Sequence, residues 1–183
     1  MTKNQIERAI VNAGKGIAQY EAIMNIVNTV DVSKDKEFQR LYNNFYRVRQ
    51  RSTKWYREYY SLMELSKGND VSFNVVLDTI LKKTGNVEAS FSSKLVATLN
   101  PERPVWDKYV LQNTKHHEPS PTDKSRVPLI KTTYRSISKW YETFLKSADG
   151  QLCVKIFDER MPSNKFTNLK KLDFVLWQTR PEP

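Results

Sequence analysis

The chain has 183 residues, of which 39% are hydrophobic and 27% charged, a globular composition long enough for one domain. No stretch approaches the ~18 consecutive apolar residues of a membrane helix, and the lone Cys153 excludes an internal disulfide and a multi-cysteine zinc or iron–sulfur site. The net charge of +10 favours a polyanion partner, most commonly nucleic acid. A charge that serves only solubility is the alternative.

The first segment, residues 3–30, is predicted to form one long helix or a helix pair. Its apolar residues alternate spacings of four and three in a heptad-like seam: Ile6, Ile10, Ala13, Ile17, Tyr20, Met24 and Val27. Such a seam fits a helix that faces the core, or a homodimer through the N-terminal helix. The first ten residues contain no apolar signal core, so we expect a cytoplasmic protein without membrane association.

The most basic stretch of the chain follows a second amphipathic helix that Ser33 or Asp35 can cap. It holds four arginines and a lysine within eleven residues, with two aromatic residues among them: Arg47, Arg49, Arg51, Lys54, Trp55, Tyr56 and Arg57. Arginines at every second position do not share one helical face, which predicts a loop or a helix end. The arginines there suit contacts with phosphates. The aromatic residues either stack on bases or point inward.

Helical periodicity and capping signals then predict a helix, a turn and a second helix. Ser72 caps the first of these, and Gly85 ends it. The turn runs through residues 85–90, and a short helix with an apolar face follows it up to Asn100-Pro101. Another short helix is predicted to begin at about Trp106 or Asp107.

Asp107 is the candidate of greatest chemical interest, because it lies where that helix starts. In one interpretation it is only an N-cap, a common role for aspartate. In the other it is a carboxylate at the mouth of a cleft, able to face a developing positive charge or to orient a water. The two roles are compatible in one residue.

The order of turn, short helix, proline-bearing loop and the hexapeptide Val105-Trp106-Asp107-Lys108-Tyr109-Val110 resembles the helix-hairpin-helix DNA glycosylases of base-excision repair. The resemblance implies that Asp107 occupies the family's catalytic carboxylate position. It also implies an all-helical fold of two lobes with DNA in the cleft between them. The resemblance covers about a sixth of the chain.

The chain departs from that family's pattern at the hairpin. The Gly-hydrophobic-Gly turn of the family is Asn86-Val87-Glu88 here, so Glu88 brings a negative charge to a position where a phosphate is expected. The Schiff-base lysine of the bifunctional members falls on Ser90, which cannot form one. Lys94, one helical turn later, is the candidate substitute, or else a lysine at the edge of an apolar stripe.

The remainder of the chain is predicted to be a loop followed by three helices. Residues 114–127 are polar, with two prolines and no periodicity, and His116-His117 has no companion ligands that would indicate a metal site. A helix is expected from Pro128, and Asp149-Gly150 is expected to break it. A short buried helix holds Cys153, and a last helix carries Asp173 either on the surface or as a second carboxylate near a cleft.

Together these observations predict an all-α protein of about eight helices, a single domain over residues 1–183 with two lobes and a flexible loop around 114–127. We expect duplex DNA as the partner, no cofactor and no metal. The expected roles are catalysis for Asp107 and Lys94, a base pocket for Trp106 and Tyr109, and nucleic-acid binding for Arg47, Arg49, Arg51, Lys54, Ser90 and Lys108. The resulting hypothesis is a DNA-binding, base-excision-repair-like protein with monofunctional DNA glycosylase activity. The alternatives are a non-catalytic nucleic-acid-binding domain and a protein-interaction domain.

Overall fold

The computed structural model describes residues 1–179, and this part of the chain contains nine α-helices and no strand. The predicted all-α class is confirmed, and the number of helices is close to the expected eight. The chain forms two compact units. The first unit comprises Met1–Gly14 and the chain from Pro101 onward, and the second comprises Lys15–Asn100.

Helix α1 runs without interruption from Lys3 to Ile26, so the two glycines in its middle do not break it. Most residues of its apolar seam are buried: Ile6, Ile10, Ala13, Ile17, Tyr20 and Val27. The seam therefore packs in the interior of the chain. A homodimer through α1 would have to use other residues of the helix, such as Val11, which is 74% exposed.

The second unit contains the end of α1 and four further helices: α2 (Lys36–Tyr46), α3 (Thr53–Ser66), α4 (Phe73–Thr84) and α5 (Ala89–Leu99). Asp35, Ser52 and Ser72 cap α2, α3 and α4 by accepting a backbone N–H from three residues further on. Gly85 ends α4 with a φ of 75°, a left-handed conformation that glycine adopts without steric cost. The predicted helix from Ser72 to Gly85 is therefore confirmed. The connection after it is two residues shorter than predicted, since α5 already begins at Ala89.

The interior of the second unit is rich in tyrosine, and hydrogen bonds satisfy the buried hydroxyl groups of Tyr42 and Tyr59. The Tyr42 hydroxyl lies 2.7 Å from that of Tyr59, which in turn donates to the carbonyl oxygen of Phe91 at 2.8 Å. Burial raises the pKa of both phenols well above the usual value, so both stay neutral at physiological pH. These hydrogen bonds connect α2, α3 and α5.

The first unit contains the start of α1 and four further helices: α6 (Lys108–Asn113), α7 (Arg126–Lys146), α8 (Ala148–Arg160) and α9 (Asn168–Gln178). Helix α8 packs against α7 and α9, and α6 packs against α9. Helix α7 begins two residues before Pro128, which lies in its first turn, where proline is tolerated. Thr167 caps α9 as one of the two predicted candidates.

The predicted helix break at Asp149-Gly150 is wrong by two residues. Ser147 separates the helices, since it is the C-cap of α7 and also the N-cap of α8, where its hydroxyl accepts the N–H of Gly150. A Cβ at Gly150 would collide with the backbone carbonyl of Phe144. The glycine is therefore needed for this close helix junction and not for a turn.

Candidate functional site

Asp107, the predicted catalytic carboxylate, is the N-cap residue of α6. Its backbone is extended, and its Oδ1 accepts the backbone N–H of Tyr109 at 2.9 Å. This bond satisfies one of the N–H groups that a helix leaves unpaired at its start. The side chain is half-buried, so its carboxylate is not sealed inside the protein.

Four hydrogen bonds hold the segment that carries this carboxylate. Thr167 donates its hydroxyl to the carbonyl of Pro101 at 3.0 Å, and Tyr134 donates to the carbonyl of Pro104 at 2.9 Å. At the last residue of α6, the side-chain amide of Asn113 donates to two backbone carbonyls at the C-terminal end of α9, each at 3.0 Å. The loop before α6 and the end of α6 are thus fastened to α7 and α9 within the first unit.

The predicted base-pocket residues flank Asp107 in the chain but differ in accessibility. Trp106 is 2% exposed and belongs to the core. Tyr109 is half-buried, and the ammonium group of the exposed Lys108 lies 5.9 Å from the centre of its ring. Between these two aromatic residues, Tyr109 is the one that a ligand can reach in this conformation.

A buried ion pair lies in the same unit as Asp107. Lys170 and Asp173 are 2% and 1% exposed, and their charged atoms are 2.8 Å apart. The hydroxyl of Tyr141 donates to the second carboxylate oxygen of Asp173 at 2.9 Å. Burial, above all, raises the pKa of Tyr141 well above its usual value, and the negative charges of Asp173 and Asp107 raise it further.

The sequence left the position of Asp173 undecided and did not single out Lys170. The signal that could have identified the pair is their spacing of three residues inside residues 169–176, a run that is apolar apart from this pair and Lys171 and is buried throughout. Two opposite charges at that spacing can meet on one helix face. Asp173 is therefore neither on the surface nor free, because an ammonium group and a hydroxyl bind its carboxylate.

In the second unit, the predicted basic stretch forms an exposed loop between α2 and α3. Arg47, Arg49 and Lys54 are all exposed, and no acidic residue among positions 1–179 forms an ion pair with any of them. Val48 between them is 3% exposed and anchors the loop in the core. The predicted loop is confirmed. Arg47 and Arg49 lie on it and Lys54 lies in the first turn of α3; residues 47–54 are called the basic loop below.

The first turn of α3 continues this positive surface. Ser52 accepts the N–H of Trp55 at 3.1 Å and so caps the helix. The backbone N–H groups of Thr53 and Lys54 have no acceptor in the described part of the chain. Free N–H groups and the helix dipole favour an anion at this end of α3.

Arg51 differs from its neighbours, since it is held within the second unit. Its guanidinium donates to the carboxylate of Glu88 at 3.1 Å, and its Cζ lies 5.6 Å and 5.1 Å from the ring centres of Trp55 and Phe91. Glu88 is 8% exposed. Its charge is therefore paired and buried and is not displayed at the surface of the turn.

Lys94 and Ser90, the other predicted residues on α5, are not exposed side chains. Lys94 is 8% exposed, and its ammonium donates to the carbonyl of Tyr46 at 3.2 Å and lies 5.0 Å from the ring centre of Phe91. Ser90 is half-buried, and its carbonyl accepts the hydroxyl of Ser93 at 2.8 Å. A catalytic role for Lys94 would have to use an ammonium group that lies inside the second unit, and it stays a prediction.

Comparisons of the chain with protein-family models, curated proteins and solved structures find no match. Over residues 1–179, no helix is both long and apolar enough to cross a membrane. The same part of the chain holds no group of three or more histidine, cysteine, aspartate or glutamate residues that could bind a metal ion.

Proposed function

We propose that the protein binds nucleic acid, with duplex DNA as its ligand, through the basic loop of the second unit. The observation that carries this proposal is the exposure of Arg47, Arg49 and Lys54 without acidic partners. Because these cations form no ion pair in the free protein, a phosphate can bind them without breaking one. The net charge of +10 adds long-range attraction for a polyanion.

Trp55, which directly follows the basic loop in α3, supports recognition of phosphates and not of bases. Trp55 is 2% exposed, and its ring stacks on Tyr59 with 4.7 Å between the centroids. A buried indole cannot stack on an unpaired base, which is the usual contact in single-strand binding. Phosphate contacts without base stacking fit a duplex, whose phosphates are regularly spaced and whose bases are already paired.

The experiment that tests this proposal is a binding titration with a labelled duplex at about 0.1 M salt. The triple variant Arg47→Ala, Arg49→Ala, Lys54→Ala should bind roughly 100-fold more weakly, because each lost phosphate contact forfeits the release of one condensed counterion. The matched control removes three cations at the other end of α2, Lys34, Lys36 and Arg40. We expect the control to retain most of the affinity, and equal losses in both triple variants would remove the proposal.

A second candidate function, DNA N-glycosylase activity, rests on Asp107. The supporting observation is a half-buried carboxylate on a segment that hydrogen bonds hold in place on both sides. In this proposal Asp107 stabilises an oxocarbenium-like sugar or positions a water, after the base has been flipped out of the stack. Asp107→Asn keeps a good N-cap and removes the charge. The Asp107→Asn variant should release no base and should bind DNA as tightly as the wild type. If the wild-type protein releases no base from a panel of damaged duplexes, glycosylase activity is excluded.

A further inference from the structure

One acidic residue, Glu88, lies close to the basic loop and has no role in the proposed function. It is the N-cap residue of α5, but its side chain makes no capping hydrogen bond to that helix. Its carboxylate instead accepts from Arg51 at 3.1 Å. Counted as a charge alone, Glu88 should weaken the binding of a polyanion.

The contacts of Arg51 join the end of the basic loop to two helices. The guanidinium lies over Trp55 of α3 and Phe91 of α5, and its ion pair with Glu88 holds it there. The rings of Trp55 and Phe91 are themselves in edge contact, with 5.3 Å between their centroids. Arginine suits this position because its planar guanidinium stacks on rings and forms directed hydrogen bonds at the same time.

Tertiary contacts must hold the basic loop in place, because two of its residues have backbone dihedral angles that are unfavourable by themselves. Arg47 and Gln50 both have a φ of 55°, in the left-handed region that residues with a Cβ rarely adopt. Surrounding contacts must maintain those angles. At the start of the loop the backbone N–H groups of Arg47 and Val48 donate to the carbonyl of Asn43. The hydroxyl of Tyr56 donates to the carbonyl of Val48 at 3.3 Å, and the Arg51 contacts hold the other end of the loop.

We propose that Glu88 is a positioning residue for the basic loop: by fixing Arg51 against Trp55 and Phe91, it raises the affinity for a polyanion despite its negative charge. The proposal rests on the proposed nucleic-acid binding. Without Glu88, Arg51 is free to leave its place over the rings, since one third of its side chain is already exposed. The basic loop then loses one of the contacts that fix its conformation. DNA binding must restore that conformation, and the loss of conformational entropy lowers the affinity.

The test compares Glu88→Gln with Glu37→Gln, a substitution of the exposed partner of Arg40 on α2. Both raise the net charge by one. We expect Glu88→Gln to bind duplex DNA about tenfold more weakly, the cost of ordering about one additional backbone residue. Glu37→Gln should bind as tightly as the wild type or slightly more tightly.

A second pair of variants keeps the charge and removes the guanidinium plane. Arg51→Lys should weaken binding several-fold, whereas Arg40→Lys should have no effect, because the Arg40 ion pair is exposed and lies over no ring. Trypsin supplies a readout that needs no DNA, since it cleaves after Arg47 and Arg49. Cleavage there should be at least about fivefold faster in Glu88→Gln than in the wild type and Glu37→Gln, because a loosened loop opens more often.

The outcomes separate the two proposals. If the wild type binds duplex DNA, but Glu88→Gln binds as tightly as Glu37→Gln and its loop is cleaved no faster, then Glu88 is not a positioning residue and the proposed function stands. If the wild type shows no salt-sensitive DNA binding, the proposed function fails and the role of Glu88 in binding fails with it. Circular dichroism spectra that match the wild type confirm that each variant is folded.

Discussion

The buried ion pair between Lys170 and Asp173 leads to a sharp prediction about stability. Each residue is at most 2% exposed, and their charged atoms are 2.8 Å apart. Asp173→Asn removes one charge but keeps an oxygen that can accept from Tyr141. The variant therefore removes the carboxylate charge that lies beside the buried ammonium group of Lys170, and this costs about 3–5 kcal/mol of the free energy of unfolding.

A double-mutant cycle separates the destabilisation caused by one buried charge without its partner from the net contribution of the ion pair to the free energy of unfolding. Lys170→Met should be destabilising as well, since it leaves the carboxylate of Asp173 buried with only a hydroxyl donor. The double variant Lys170→Met, Asp173→Asn contains neither charge of this pair. We expect its stability to lie within about 1.5 kcal/mol of the wild type, so the coupling between the two sites should be several kcal/mol.

The assay is urea unfolding followed by circular dichroism, with the exposed pair Lys155–Glu159 of α8 as the control. The side chains of that pair are 72% and 56% exposed, so Glu159→Gln should change the free energy of unfolding by less than about 0.5 kcal/mol. A loss below about 1 kcal/mol for Asp173→Asn would refute the reasoning. So would a double variant as unstable as the worse single one.

Three further predictions concern the cap of α6, the buried phenols and the exposed side of α1. Asp107→Ala should lower the free energy of unfolding by about 1 kcal/mol and Asp107→Asn by much less, since asparagine also caps helices; equal losses in urea unfolding would contradict the capping role. Burial raises the pKa of Tyr42, Tyr59 and Tyr141. The stability that they contribute is therefore complete below about pH 10, which is the pKa of a tyrosine in the unfolded chain. Above that pH the stability falls, because the unfolded chain releases protons that the folded chain keeps. These three phenols together should contribute about 4 kcal/mol per pH unit to that loss, and their tyrosinate absorbance should appear only as the protein unfolds. Ionisation of these phenols in the folded protein near pH 10 would contradict the prediction. If the protein forms a homodimer through α1, Val11→Glu should dissociate it in analytical ultracentrifugation, whereas a monomeric wild type would remove that proposal.

Local signals in the sequence predicted much of the fold. The helix between Ser72 and Gly85 has a cap, an apolar face and a terminating glycine, and each acts within a few residues. The same holds for the N-cap at Asp107 and for the loop of alternating arginines. Cys153 is 0% exposed, and burial raises its pKa to about 12, in agreement with its interpretation as a small hydrophobic residue.

The contacts that the sequence did not predict depend on distant residues or on burial. Arg51 and Glu88 lie 37 positions apart, so their ion pair depends on how α3 and α5 pack. Lys170 and Asp173 are neighbours on one helix, but a surface pair has the same spacing, and only tertiary packing distinguishes the two. Gly150 resembles a helix breaker in sequence, whereas a close backbone approach requires it.

The central claim is that the basic loop binds the phosphates of duplex DNA, and the salt dependence of the affinity tests it most directly. A plot of log K against log salt concentration has a slope of about −0.9 for each phosphate that the protein neutralises. The wild type should therefore show a steep negative slope, and the triple variant of Arg47, Arg49 and Lys54 a slope shallower by about 2.5. The control variant of Lys34, Lys36 and Arg40 should keep the wild-type slope. An affinity that does not depend on salt, or a slope that the loop variant leaves unchanged, would contradict the claim.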